Sequence, residues 1–166
     1  MRIRLAENGD HKAIWAILEP VIRAGETYTL PPDMIAADAL AYWCGPGHSV
    51  FVAEQDGQVI GTYYLRANQQ GGGAHVANCG YMTAPSARRQ GAARVMAQHS
   101  LVQAKTRGFR AIQFNFVVSS NEGAIRLWHS LGFQTLCRLP GAFRHPSLGF
   151  VDALVMHRDL ADVSGP

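Results

Sequence analysis

Arg88-Arg89-Gln90-Gly91-Ala92-Ala93-Arg94 lies between a strand-like run that ends near Pro85 and an amphipathic run that continues to Arg107. Small residues in this stretch let the backbone approach a ligand closely. A helix starting there carries about half a positive charge and several unpaired N–H donors at its N-terminus. With the flanking arginines it forms a site suited to a diphosphate; the plainer alternative is a glycine turn with solvated arginines. The stretch is not a Walker loop, since no Gly-Lys-Ser/Thr ends it. Nor is it the dinucleotide fingerprint, which follows the first strand of a repeated βαβ unit.

On the upstream side, the turn Gln69-Gln70-Gly71-Gly72-Gly73 precedes a strand predicted from His75 to Thr83. Ser49 to Glu54 and Gln58 to Arg66 are rich in β-branched and aromatic residues and are split by Asp56-Gly57, a two-residue hairpin signal. Ile14, Ile17, Leu18, Val21 and Ile22 give one apolar face to a helix over about 10–24, with Pro20 implying a kink or an early end. Pro31-Pro32-Asp33 predicts the start of a second helix that stops at Gly45-Pro46-Gly47. Ile3 and Leu5 around Arg4 suit a first strand.

Downstream, the helix that opens at Gly91 meets Gly108, where a left-handed residue belongs. Arg110 to Val118 reads as a strand. Ser119 and Glu122 have capping-box spacing ahead of a helix that Gly132 closes. Phe133 to Leu139 and Gly149 to Leu160 read as two last strands around a loop, Pro140 to Pro146. Residues 1–160 are expected to form one domain and 161–166 a flexible tail. There is no internal repeat.

The 166 residues suit a single core. An apolar fraction of 48% with 16% charged residues suits a chain that folds unaided. A net charge of +3 is a mild bias, and the local basic knot is Arg88-Arg89 with Arg94, too small a patch for nucleic acid. Cys44, Cys79 and Cys137 form neither a C-x-x-C pair nor a disulfide framework, which points to a reducing cytoplasm. Met1 to Leu5 lacks the apolar core of a signal peptide, and no stretch approaches about 18 apolar residues. Neither export by that route nor a membrane span is expected.

A second element, Asn121-x-x-Ala124-x-x-Leu127-Trp128-x-x-x-Gly132-Phe133, follows the glycine loop after one predicted strand. Together the two elements resemble the GNAT superfamily of acetyl-CoA-dependent N-acetyltransferases, and the order of strands and helices extends the likeness over nearly the whole chain. The resemblance implies an α/β (α+β) fold: a mixed, mostly antiparallel central sheet of about seven strands flanked by about four helices. It also implies that the R-x-x-G-x-G/A loop, here Arg88, Gly91 and Ala93 with Arg89, Gln90, Ala92 and Arg94 between and beside them, holds the diphosphate of acetyl-CoA. The strand Tyr81-Met82-Thr83 would pair with the pantetheine arm, and one of its N–H groups would steady the thioester carbonyl. Asn121 matches an asparagine that contacts the cofactor, although an N-cap without a ligand explains it as well. Trp128 departs from the pattern: many members carry a Tyr there that protonates the departing thiolate, and an indole N–H has no such chemistry near neutral pH.

Gly25-Glu26-Thr27-Tyr28, Gly73 to Asn78, Phe114 to Val118 and Gly149 to Leu154 resemble, more narrowly, the branch containing fungal enzymes that N-acetylate the proline analogue azetidine-2-carboxylate. By that resemblance Asn78 and Asn115 hold the acceptor. Independently of it, asparagine is depleted in strands, so these two either satisfy turn or bulge backbone or face a polar ligand. An alkylamine acceptor is about 0.1% neutral at pH 7. A proton must therefore be removed, and Glu26 and His75 are the candidate bases, acting directly or through water. No metal is expected: His75 and Cys79 would share a strand face but lie about 13 Å apart. The expected partner is thus a small amine, amino acid or imino acid, and the resemblance implies a homodimer. An acyl-CoA-binding sensor without catalysis and a protein N-acetyltransferase are the alternatives.

Overall fold

The structure, a computed structural model, describes residues 1–87 and 89–164. Seven strands, β1 (Arg2–Leu5), β2 (Ser49–Gln55), β3 (Gln58–Ala67), β4 (Val76–Thr83), β5 (Ala111–Val118), β6 (Gln134–His145) and β7 (Gly149–Asp159), form one sheet in the order β1-β2-β3-β4-β5-β7-β6. Four helices, α1 (His11–Ala24), α2 (Ala36–Trp43), α3 (Ala92–Thr106) and α4 (Glu122–Ser130), cover its two faces. The β4–β5 pair is parallel and every other pair antiparallel, which matches the expected mixed sheet. Asp56 and Gly57 both take positive φ, 52° and 74°, the backbone of a two-residue hairpin whose twist suits its strands.

Strand alternation sends side chains to two cores. Phe51, Tyr63, Leu65, Cys79, Ile112 and Phe114 pack with residues of α3 and α4. Val50, Val52, Tyr64 and Met82 pack with α1 and α2 through Ile14, Leu18, Ile22 and Trp43. No helix is long and apolar enough to cross a membrane among the described residues.

Helix α1 keeps its predicted span, running past Pro20 to Ala24 and stopping at Gly25 with φ 62°, so the proline does not end it early. Three other expectations about elements are corrected. Helix α2 starts at Ala36, not at the prolines, because a turn closed by Met34 N–H on the Pro31 carbonyl comes first. Arg23 fixes that turn by donating to the carbonyls of Pro32 and Met34. The cap of α4 is Asn121, whose Oδ1 accepts from Ala124 N–H at 3.3 Å, rather than Ser119. Pro140 to His145 belongs to β6: this strand lies at the sheet edge, where a proline's missing N–H costs no ladder bond. A register shift between Leu139 and Phe143, with Gly141 at φ 56°, absorbs the irregularity. At the C-terminal end Val163 packs against the core and Asp162 pairs with Arg158 at 2.8 Å; residues 165 and 166 lie outside the described residues.

Candidate active site

The central feature is a split between β4 and β5. They pair only at Val76↔Ala111 and Ala77↔Ile112. At the next position Asn78 Nδ2 donates to the Gln113 carbonyl at 2.9 Å, so a side chain fills the gap that the next ladder bond would have closed. On β5 the pairing with β7 shifts between Phe114 and Val117, which bulges Asn115 and Phe116 away from regular register. A cavity of about 230 Å³ occupies the resulting wedge, walled by Cys79, Gly80 and Tyr81 on one side and by Phe114 to Val118 on the other.

Inside the wedge the alternation of the antiparallel β3–β4 ladder turns the N–H and C=O of Tyr81 and Thr83 away from β3. Tyr28 engages Tyr81 at both: its hydroxyl accepts from the Tyr81 N–H and donates to the Tyr81 carbonyl, each at 2.9 Å. Burial pushes this phenol well above its ordinary range. The Tyr81 hydroxyl is itself anchored on Ser100 Oγ at 2.6 Å, which in turn donates to the Ala97 carbonyl. Met82 belongs to the opposite alternation, with its side chain buried against α1 and α2.

At the open end stands the N-terminus of α3. Gly91 is its N-cap, with φ 82° and nothing within 4 Å of where a Cβ would sit. The first intrahelical bond runs from Val95 N–H to the Gly91 carbonyl, which leaves the N–H groups of Ala92, Ala93 and Arg94 without helical acceptors. These donors, open space and the cationic side chains of Arg89 and Arg94 fit a diphosphate. Arg89 also has positive φ, 63°. Arg94 is tied to α4 through Ser130 Oγ at 3.0 Å, and Gln90 folds back on the Ser86 carbonyl. Ala92 is buried and so serves packing as well. Arg88 lies outside the described residues. Asn121 lines the cavity and caps α4 at once; the cap uses its carbonyl end and leaves its NH₂ end without a partner among the described residues.

Asn78 and Asn115 both line the cavity, in different ways. Asn78 is buried and bridges the strands, with its Oδ1 3.4 Å from the Tyr64 hydroxyl. Asn115 is exposed, donates to Asn68 Oδ1 at 2.6 Å and accepts from Gln113 Nε2 at 2.9 Å. Glu26 and His75 do not line the cavity. Glu26 is exposed beside Thr27 and Tyr28, which do. His75 precedes β4 at the closed end of the wedge, held to the Gly72 carbonyl; six residues of strand, about 20 Å, separate it from Tyr81. The described residues contain no group of three His, Cys, Asp or Glu side chains that would hold a metal ion.

Tyr28, Tyr42, Tyr64 and Arg66 are lining residues that sequence spacing did not single out as site residues. Tyr64 depends on Gly80, its register partner: a Cβ at residue 80 would lie 2.6 Å from Tyr64 Cε1 and 2.9 Å from Cζ. The ring is wedged by Trp43 and His48, with centroids at 4.9 and 4.7 Å, and has little room to retreat. Gly80→Ala is therefore expected to destabilise the fold by about 1–3 kcal/mol, the usual cost of overpacking. A lowered urea midpoint checks this; an unchanged one would show that the ring can move.

Trp128 forms an aromatic wall with Phe114 and Tyr81, at centroid distances of 4.8 and 5.0 Å. Cys79 also lines the cavity, but burial pushes its thiol up to about 12, so thiolate is scarce at neutral pH. Cys79→Ala should keep wild-type turnover within about threefold, a change under 1 kcal/mol in barrier. Loss of turnover in the folded variant, together with an acetylated cysteine in the mass spectrum of the wild type, would instead establish a covalent route.

The geometry has counterparts among known proteins. Residues 15–133 match the acetyltransferase (GNAT) family. The chain is 34% identical over 98 residues to the N-acetyltransferase aca1 of Schizosaccharomyces pombe, an alignment covering 58% of this chain and 47% of that one. It thus spans about half the length of this curated relative. A GCN5-related N-acetyltransferase from Kribbella flavida has a similar structure, with a TM-score of 0.90 and 40% identity over 95% of this chain and 96% of that one. The fold is shared with yncA, a putative acetyltransferase of Salmonella typhimurium solved with its cofactor acetyl-CoA: the TM-score is 0.85 at 23% identity, over 100% and 97% of the two chains.

Proposed function

This chain belongs to the acetyltransferase (GNAT) family, and from that premise we propose that it moves the acetyl group of acetyl-CoA to the nitrogen of a small amine, amino acid or imino acid. The observation that carries the proposal is the wedge itself: a phosphate-ready helix N-terminus at its open end leads into a cavity lined by two asparagine amides. Bound acetyl-CoA supplies an activated thioester. The N–H groups of Ala92, Ala93 and Arg94 hold its diphosphate, and the free backbone of Thr83 pairs with the pantetheine arm. The Tyr81 N–H steadies the carbonyl oxygen once that oxygen displaces the Tyr28 hydroxyl.

Asn78 and Asn115 orient the acceptor nitrogen. Its lone pair forms the new C–N bond as the C–S bond breaks; the sulfur leaves as thiolate, and the proton lost by the ammonium passes to water. Glu26, next to cavity-lining Thr27, is the base we assign to that water. No acyl-enzyme is involved. Likeness to the aca1 N-acetyltransferase supports placing the chain near the fungal branch described above; the cysteine usage leads us to expect a cytoplasmic location and the family resemblance a homodimer.

The test is thiol release from acetyl-CoA on adding a panel of amino acids, cyclic imino acids, polyamines and amine antibiotics to the purified protein. Turnover with at least one small acceptor, and the N-acetyl product in the mass spectrum, is expected. Tight acetyl-CoA binding with no release on any acceptor would replace the enzyme by an acyl-CoA sensor.

A further inference from the structure

Among the described residues that line the cavity, Arg66 is the one formally charged side chain. It takes part in none of the ion pairs among the described residues. What holds it is neutral. Its guanidinium carbon lies 5.8 Å from the centroid of the Tyr64 ring, and Nη1 is 3.5 Å from His48 Nε2. His48 Nδ1 sits 2.8 Å from the Trp43 carbonyl and so carries the ring proton, which leaves Nε2 as the lone-pair side facing Arg66. Burial and the nearby Arg66 charge both lower the His48 pKa, in keeping with a neutral ring.

The remaining edge of the guanidinium is unused. Nε is buried without a hydrogen-bond partner, and no described residue accepts from Nη2. A buried cationic donor left unpaired is costly, and the Nε–Nη2 edge is a fork that matches the two oxygens of a carboxylate. Arg66 is the register partner of Asn78, so the fork stands beside the amide that bridges the wedge. Resting on the acetyltransferase reading, we infer that Arg66 binds a carboxylate of the acceptor. The acceptor is then an amino or imino acid rather than a simple amine, with its nitrogen turned toward the wedge and Arg66 setting that choice.

The experiment compares each acid with the amine left when its carboxylate is removed, for example L-proline with pyrrolidine, across the proteinogenic amino acids and four- to six-membered imino acids. Binding is measured calorimetrically with coenzyme A present, and turnover by thiol release, for wild type and for Arg66→Gln and Arg66→Lys. Wild type should prefer the best acid to its amine by at least about thirtyfold, as a charge-assisted bond implies. Arg66→Gln should raise KM for the acid by a similar factor while kcat, acetyl-CoA affinity and the handling of the amine stay within about threefold. Arg66→Lys, which keeps the charge without the fork, should fall between.

Equal use of acid and amine by wild type, failure to bind any acid, or an equal loss for both in Arg66→Gln would overturn the inference; the first two outcomes need no variant to fold. Preferential binding of an acid by wild type, lost in Arg66→Gln, but with no thiol release on any acceptor would keep Arg66 as a carboxylate site and sink the acetyltransferase reading instead.

Discussion

Gly91→Asp raises the acetyl-CoA dissociation constant by at least about a hundredfold, which is about 2.7 kcal/mol. Two effects combine. The new carboxylate sits at the N-cap of a 15-residue helix and accepts from the same free N–H groups that the diphosphate needs. It also places negative charge where phosphate must enter. Folding suffers little: the left-handed φ of 82° costs an Asp about 1–2 kcal/mol, and the cap that it forms returns a comparable amount. Gly91→Asn separates the contributions, because it caps without charge and should show an intermediate loss. Calorimetric titration is the measurement, and unchanged affinity in a folded Gly91→Asp protein would place the cofactor elsewhere.

Asn115→Ala lowers kcat/KM for the best acceptor by at least about a hundredfold, two factors of ten at about 1.4 kcal/mol each. Its acetyl-CoA affinity should stay within about threefold. The structure sharpens the control for this experiment. Asn115 is exposed, and its partners Asn68 and Gln113 are only half-buried, so removing its amide should leave the melting temperature nearly unchanged. Asn78→Ala contrasts with it: a buried amide and its bridge across the split to the Gln113 carbonyl are lost, with a stability cost of about 1–3 kcal/mol. A destabilised but fully active Asn115→Ala protein would remove this residue from the acceptor site.

Where local chemistry decides an element, its residues announce it: Asp56-Gly57 can hardly be anything but a hairpin, and the stripe from Ile14 to Ile22 outweighs Pro20. Pro140 is legible only with topology in hand, because its tolerance follows from β6 lying at an edge. Asn121 and Ser119 both offer caps by spacing, and only the backbone geometry selects Asn121. The glycine loop is readable as a candidate anion site because helix N-termini attract anions whatever surrounds them. The proposed acceptor side is not, since Tyr28, Tyr64 and Arg66 meet through pairings across β3, β4 and the segment before α2. Gly80 looks like any strand glycine until the Tyr64 ring is seen lying across it.

A sheet divided through its middle would ordinarily present two raw edges to solvent whenever nothing lies between them, inviting a neighbouring chain to add a strand. Here one phenol occupies both exposed backbone groups of Tyr81, and one carboxamide ties β4 to β5 where the division begins. At Tyr81 the resting protein thus carries its own stand-in for a ligand's backbone contacts, while Thr83 keeps its outward backbone groups open. Scarcity of acyl donor leaves it idle rather than sticky, and each arriving ligand exchanges one hydrogen bond for another instead of closing an empty seam.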